Sequence, residues 1–516
     1  MSRFIAAFAS LFLVSTSAFA QEGERTISEA VNDFMAPVSN FIGDIVFFEL
    51  PLDWIYAGAP GIPLIVVWLF GGAVYFSFYM GFINFRGFKQ SIKIVKGTYD
   101  DPSDPGEVTH FQALTAAVSG TVGLGNIAGV AIAVSIGGPG ATFWMILCGL
   151  FGMTSKFVEC TLGVKYRKID ANGVVSGGPM YYLSEGLANR GLPNLGKVLA
   201  VAAALICIGG AYGAGAMFQI NQSSTQFTDI LVSFTGGEAS FFYGKTWIFG
   251  IAFASMVALV IIGGIKKITH VTEFLVPIMA FLYISAALVI IFSNISMIPD
   301  AFGQIFNGAF TGEGIAGGII GVMIQGLRRA SFSNEAGLGS ASIAHAAAKT
   351  KEPVAEGLVA LLEPFIDTVV ICTITALVII VTGSIDPTAN GTAEGIKLTS
   401  RAFATVADWF PYLLTIAVVL FAFSTSITWF YYGQRSFLYL VGDKPNADLA
   451  FKLSYLFVLL VGSAMALGPI MDIADSLLLA MGIPNILGLF LLRKEVKGML
   501  VSYFERVRSG EIKETH

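Results

Sequence analysis

Apolar runs of about 20 residues recur along almost the whole chain. At 1.5 Å per residue, a helix of that length crosses a hydrocarbon layer roughly 30 Å thick. Eleven stretches qualify: 61–83, 111–137, 141–163, 197–221, 246–264, 271–293, 314–346, 357–382, 405–431, 452–468 and 472–491. Composition agrees with this reading. Hydrophobic residues make up 55% of the chain and charged residues 13%, about half the roughly 25% of a soluble domain. A water-facing fold of this composition would expose large apolar patches. Disordered and collagen-like chains are excluded, and a net charge of −5 gives no footing for nucleic acid or another polyanion. The expected fold class is an all-α polytopic membrane protein with 11 transmembrane helices.

The ends and the cysteines add detail. Residues 1–20 read as a signal peptide, with Arg3, an apolar stretch from Ile5 to Val14, and Ala18-Phe19-Ala20 before Gln21. An uncleaved anchor is the alternative. Residues 21–60 then form an external tail leading to an interfacial helix, and 492–516 a cytoplasmic tail. Cys148, Cys160, Cys207 and Cys372 all lie inside apolar runs without CxxC spacing. They read as buried small residues rather than as a disulfide framework or zinc site.

Charge tests the span count. With the first span starting outside, the inside segments collect Arg86, Lys89, Lys93, Lys96, Lys165, Arg167, Lys168 and the basic tail from Arg493 onward, and in all 22 of the 30 basic residues. The outside segments keep Arg25, Lys245, Lys397 and Arg401. Positive charge is retained on the cytoplasmic side, so the C-terminus is expected there.

Setting 61–83 aside as one extra N-terminal helix leaves two sets of five spans, 111–293 and 314–491. Five is odd, so the second set is inverted relative to the first. The first member of each set is unusual. Span 111–137 is interrupted by Ser119-Gly120-Thr121-Val122-Gly123-Leu124-Gly125-Asn126, and its mate carries Arg328 to Ser340, rich in Ser, Asn and Gly. Matched broken helices around a midplane site are the mark of inverted-repeat transporters. Irregular backbone at that depth frees N–H groups for a carboxylate and carbonyls for a cation. Close helix packing is the other use of such small residues.

Three motifs are then recognisable: Gly120-Thr121-Val122-Gly123-Leu124-Gly125-Asn126-Ile127-Ala128-Gly129, Gly177-Gly178-Pro179-Met180-Tyr181-Tyr182, and Phe332-Ser333-Asn334-Glu335-Ala336-Gly337-Leu338-Gly339-Ser340. Together they resemble the alanine or glycine:cation symporter family, from about residue 60 to 495. Ala330 departs from the pattern, since the family often carries Gly there. The resemblance implies a LeuT-type 5+5 inverted repeat, a bacterial cell membrane, sodium as coupling ion, no other cofactor, and a small neutral amino acid such as alanine or glycine as substrate. Ala422-Phe423-Ser424-Thr425-Ser426 resembles the sodium-binding Ala-x-x-Thr-Ser pattern of the fold's neurotransmitter-transporter relatives. It implies a sodium site of Ala422, Thr425 and Ser426, faced by Ser119 and Val122, with Asn126 a candidate for a second one. For Thr425 and Ser426 the alternative is bonding back to their own helix.

The chemistry of a zwitterion fits the first break. Half-helix N–H groups near Thr121, Gly123, Leu124, Gly125 and Asn126 would hold the carboxylate, and hydroxyl or carbonyl oxygens suit a hard cation. Gln219 would hydrogen-bond substrate or tie two helices. Trp429 would wall the pocket or sit at the interface with Tyr431 and Tyr432. Phe332 would cap the site. Arg328, Arg329 and Glu335 should pair with each other or with Glu363 and Asp367 as an inside gate. If they form a rim instead, the second break lies near Gln325-Gly326. Coupling to protons needs a titrating core group, which the sodium-site helices do not offer. A channel would show rings of charge, and an intramembrane enzyme a motif such as HExxH or GxSxG; none is present.

Overall fold

The computed structural model describes residues 37, 40–51, 61–101, 103–311, 318–385 and 394–514. The expected signal peptide and most of the 21–60 tail lie outside the described residues. Residues 40–46 are helical, with Phe41 and Ile45 exposed. Strands are confined to two short antiparallel pairs among the described residues, Glu49–Leu50 with Ile62–Pro63 and Lys168–Ile169 with Val175–Ser176.

The rest is helix. In chain order the helices used below are α1 (Leu64–Tyr79), α2 (His110–Thr121), α3 (Val130–Gly137), α4 (Ala141–Lys165), α5 (Pro193–Tyr212), α6 (Gln219–Phe234), α7 (Thr246–Ile261), α8 (Gly264–Ser293), α9 (Gly318–Asn334), α10 (Ala341–His345), α11 (Pro353–Ala360), α12 (Phe410–Val441), α13 (Pro445–Ala464), α14 (Leu467–Ala480) and α15 (Gly482–Ser509). Helix lies over each of the eleven apolar stretches. By length and apolar composition alone, seven helices among the described residues can cross a membrane, or eight when the bent pair is taken as one span. α1 and α7, at 16 residues each, fall short of the roughly 20 a membrane span needs.

Four helices from the first half of the chain pack on helices from the second half. α4 lies against α11, α5 against α12, α7 against α13, and α3 against α9. α4 and α12 are the hubs: α4 also carries α1 and α9, and α12 carries α2 and α8.

Both unusual spans are broken. α2 begins in a capping box, in which the Gln112 N–H donates to Thr109 Oγ1 and the Gln112 side chain takes the Thr109 N–H. It ends at Val122, and the chain turns by 49° before continuing. The second break falls at Glu335 to Ser340, between α9 and α10. Gln325 and Gly326 are inside α9, so the earlier break is overturned. Gly326 sits against the Ala141 carbonyl and Trp144, where it serves close helix packing. Glu335 is left-handed at φ 56°, and Gly337 and Gly339 both stand at 85°, a conformation glycine adopts without a Cβ penalty.

Four stretches of wide π-type turn complete the picture: Gly125–Gly129, Tyr182–Gly186, Gly213–Phe218 and Phe365–Cys372. Such turns concentrate at functional sites, and three of these four border the first break.

Candidate functional site

The first break is a meeting of α2 and α12. The Thr425 hydroxyl donates to the Ser119 carbonyl at 2.9 Å, and the Ser119 hydroxyl donates to the Ser424 carbonyl at 2.8 Å. Thr428 adds a hydroxyl 3.1 Å from Ser119 Oγ. Thr425 therefore reaches across to α2 rather than bonding back to its own helix. The Ser426 hydroxyl is buried with no hydrogen-bond partner. A buried orphan oxygen costs about 1–3 kcal/mol, and a cation-binding oxygen is one of the few roles that would offset it. Val122 and Ala422 are buried as well, at 1% and 0% exposure. These oxygens are neutral, and oxygen is the donor type that suits a hard cation.

The backbone at the break is open because glycine stands there. A Cβ at Gly123 would collide with the Thr425 hydroxyl, and one at Gly125 would stand 3.4 Å from the Phe332 ring and the Ser333 backbone. The freed N–H groups have partners. Gly123 N–H donates to Asn126 Oδ1 at 2.9 Å, and Leu124 N–H donates to Gln219 Oε1 at 3.0 Å. Gln219 Nε2 in turn donates to the Ala214 carbonyl. Gln219 is thus at the break, acting as a helix-to-helix tie on the N–H group that a carboxylate would use. Thr121 is also there, but its hydroxyl turns back on the Ala117 and Val118 carbonyls of α2.

Asn126 leads into a second polar centre. Its amide nitrogen donates to Asp367 Oδ1 at 2.6 Å and to the Asp367 carbonyl at 3.0 Å. Asp367 Oδ2 accepts from Ser333 at 2.8 Å and Thr368 at 2.6 Å. All four residues are buried. Asp367 was expected in a gate with the arginines; it is instead bound to the first break.

Phe332 closes the other side, with its ring 5.1 Å from that of Phe218 in an edge-to-face contact. Trp429 is 1% exposed and no interfacial residue, and Tyr431 and Tyr432 are buried beside it. Its indole lies on Gly215 and its N–H donates to Glu335 Oε1 at 3.0 Å. Glu335 Oε2 accepts from Ser340 at 2.6 Å. Trp429 therefore ties α12 to the second break.

The arginines pair elsewhere than expected. Arg328 Nε and Nη2 are each 2.7 Å from Asp475 Oδ2, and Arg329 bonds the same oxygen. Both precede the second break on α9, so they face α14, while Glu363 faces α4 across the break. The sequence reading assigned Glu335 to the inside gate rather than to Trp429 and Ser340, and it missed Ser333 and Thr368 as neighbours of the site, although Ser333 lies in the quoted motif.

Comparison with known proteins places this architecture. The model of the sodium:alanine symporter family matches residues 52–516. The sodium/alanine symporter AgcS of Methanococcus maripaludis is 40% identical over 455 residues, 87% of this chain and 96% of the relative. The probable sodium/glutamine symporter GlnT of Bacillus subtilis is 33% identical over 450 residues, 87% of this chain and 89% of the relative. Among solved structures, MhsT in complex with L-phenylalanine matches with a TM-score of 0.55 at 16% identity, covering 75% of this chain and 89% of that one. That likeness gives the fold as LeuT-like.

Proposed function

The chain belongs to the sodium:alanine symporter family, and from that premise we propose that it imports a small neutral amino acid, alanine or glycine, together with sodium. Family and relatives are transporters rather than enzymes, and the apolar helices make this a multi-pass membrane protein. The observation that carries the proposal is the contact of Thr425 with the Ser119 carbonyl, beside the partnerless Ser426 hydroxyl. Sodium would sit among Ser119, Val122, Ala422, Thr425 and Ser426. The amino acid would lie beside it, over Gly123, Leu124, Gly125 and Asn126, under Phe332 and near Trp429.

The two ligands share one wall. A substrate carboxylate at the break competes with Asn126 Oδ1 and Gln219 Oε1 for the Gly123 and Leu124 N–H groups. Sodium draws the Thr425 hydroxyl and Ser119 carbonyl onto itself and so fixes the end of α2 from which those N–H groups project. Each ligand then favours the other, and linkage makes the effect reciprocal. Alternating access is a rocking of one helix bundle against the other about this site. The eleven stretches are the spans in this reading, with the C-terminus in the cytoplasm as the basic loops require.

Proton coupling is the second reading, and the buried Asp367 carboxylate beside Asn126 favours it. Uptake of labelled alanine into proteoliposomes separates the two. Concentrative uptake under an inward sodium gradient alone is expected. Uptake under a proton gradient alone would retain the fold and remove the sodium site.

A further inference from the structure

Beyond the second break, α4, α10 and α11 enclose ionisable groups that the symport reading leaves without a role. Lys156, Glu159, Glu335, His345, Glu356 and Glu363 are all 2% exposed or less. They form a connected line. His110 Nδ1 bonds Glu356 Oε2. Glu356 Oε1 lies 2.5 Å from His345 Nδ1, and His345 Nε2 lies 2.5 Å from Glu363 Oε1. Lys156 Nζ is 3.3 Å from Glu363 Oε2 and 3.9 Å from Glu159 Oε1. Glu159 Oε2 accepts the Gly339 N–H, inside the second break, at 3.1 Å.

Hydrogen-bond chemistry fixes a proton count. A neutral imidazole has one donor nitrogen and one acceptor nitrogen. His345 meets a carboxyl oxygen at both. Either the ring is an imidazolium, or one of the two carboxyl groups carries the proton. In both cases Glu356, His345 and Glu363 hold one proton more than a neutral imidazole between two carboxylates.

The position of this triad matters as much as its charge. His110 is the first residue of α2, and His345 is the last residue of α10. The same-side ends of both broken helices are therefore held by one carboxylate, Glu356. That side carries the C-terminal segment, through Lys93 with Glu514 and Arg506 with Glu352. His110 Nε2 also stands 4.0 Å from Asp100, which is 39% exposed and offers a way to water.

We propose that Glu356, His345 and Glu363, with His110 on Glu356 at their water-facing end, form a proton-binding latch on the cytoplasmic side, shut while its extra proton is bound. The inference rests on the alternating-access reading above. When these helix ends part from Glu356 to release the cargo, His345 Nδ1 loses its carboxyl partner along with His110, the imidazole keeps only the Nε2 contact to Glu363, and the extra proton leaves to the cytoplasm. It returns when the latch recloses, so no proton need cross the membrane. The sign follows from linkage: the shut form binds more protons than the parted one, so acid favours shut and alkali favours open. A histidine released into water titrates near 6.5, so the proton-linked advantage of the shut form is complete below that pH and falls as pH rises above it.

Other charged groups stand near the latch, and on the helix Phe88–Val95, which packs on α11, Lys93 is paired with Glu514. Arg167, behind His345, gives its guanidinium to the carbonyls of Ala346, Ala348, Pro105 and Thr350 and stays a fixed charge. On α4, Lys156 already occupies the cationic place beside Glu363, and Cys160 lies close to His345 and Glu363. From α8, Glu273 is engaged by Gln112 and His270. From α12, the Tyr432 phenol is buried.

The test reads the latch directly. The full-length protein is placed in lipid nanodiscs with spin labels on cysteines introduced at the exposed Phe111 and Val501; the four native cysteines are buried. Electron–electron distances are measured from pH 5.5 to 8.5, with neither sodium nor amino acid present. The open-to-shut ratio should rise with pH, at up to about tenfold per pH unit for one linked proton. Glu356→Gln and His110→Gln should each flatten that curve. A flat wild-type curve overturns the latch, as does an unchanged slope in a variant. If Glu356→Gln fails to fold, His110→Gln, at the water-facing end of the line, decides. Because no transported ligand is present, failure of the symport reading would leave this result intact, and failure of the latch would leave sodium-driven uptake intact.

Discussion

The two broken helices solve one problem with opposite chemistry. At the first break, Val122 to Leu124, the groups that meet the open backbone are neutral, namely hydroxyls of Ser119 and Thr425, the amides of Asn126 and Gln219, and glycine backbone, and the Asp367 carboxylate stands one step back, behind Asn126. The second, at Glu335 to Ser340, is held by ionisable groups: Glu335 itself, Glu159 on the Gly339 N–H, and Lys156 behind them. A neutral site can hand a small cation and a zwitterion on, because neither is trapped by a fixed opposite charge. A buried charged network does the reverse. Its members cost several kcal/mol each if separated, so it specifies one arrangement and resists change. The proposed cargo belongs at the first break, and the second is suited to carrying mechanical state between the site and the surface.

Substitutions at the two breaks should therefore fail in different ways. The largest effect is expected from Gly123→Leu. Its Cβ alone collides with the Thr425 hydroxyl, and overpacking of this kind costs about 3 kcal/mol, roughly 100-fold in affinity. Equilibrium binding of labelled alanine to purified protein should vanish into background. Binding at wild-type strength would move the cargo away from the first break. Thr425→Ala comes next. It deletes one proposed ligand and the bond to the Ser119 carbonyl, worth about 1.5–3 kcal/mol where a charge is involved. The sodium concentration for half-maximal uptake should rise about 10- to 100-fold, with normal membrane insertion. An unchanged sodium dependence would remove the proposed ion site.

How much of this was legible in the chain differs between the same two regions. The first break is written locally: four glycines within ten residues, flanked by Ser119 and Asn126, announce it, and the α12 motif supplies its partner. The second break lies in a motif that was recognised, yet its register was not readable. Ser331 to Asn334 stay helical because their polar groups find partners on the neighbouring helix, Ser333 on Asp367 and Asn334 on Thr368. Charged partners were the least legible part. Arg328 and Asp475 are 147 residues apart, and nothing in periodicity chooses Asp475 over Glu363. The sequence reading also found no titrating group on the sodium-site helices; α12 carries no buried carboxylate or histidine, but α2 begins with the buried His110. That reading overlooked α4, α10 and α11, whose carboxylates, lysine and histidine are brought to the core only by packing. The crossing count shows a related limit. Short helices such as α1 and α7 overlie apolar stretches of the right length, but the helix ends depend on turns that composition does not specify.

The two smaller predictions set the breaks directly against each other. Trp429→Phe removes the indole N–H from Glu335 Oε1 and leaves a buried carboxylate with one donor fewer, at a cost of about 1–3 kcal/mol. The melting temperature of the detergent-solubilised protein should fall by a few degrees, with the sodium dependence of whatever uptake remains unchanged. A shift in sodium dependence without loss of stability would mean that the charged break takes part in ion binding and that the division drawn above is wrong. Ser119→Ala is the finest probe. It deletes the hydroxyl that donates to the Ser424 carbonyl and meets Thr428, yet it keeps the carbonyl that Thr425 uses. Only about 1 kcal/mol is at stake, so the half-maximal sodium concentration should rise about fivefold, well short of the effect of Thr425→Ala. Equal effects from the two would place the hydroxyl of Ser119, rather than its carbonyl, on the ion, and the neutral break would then owe its cation site to side chains more than to the unwound backbone.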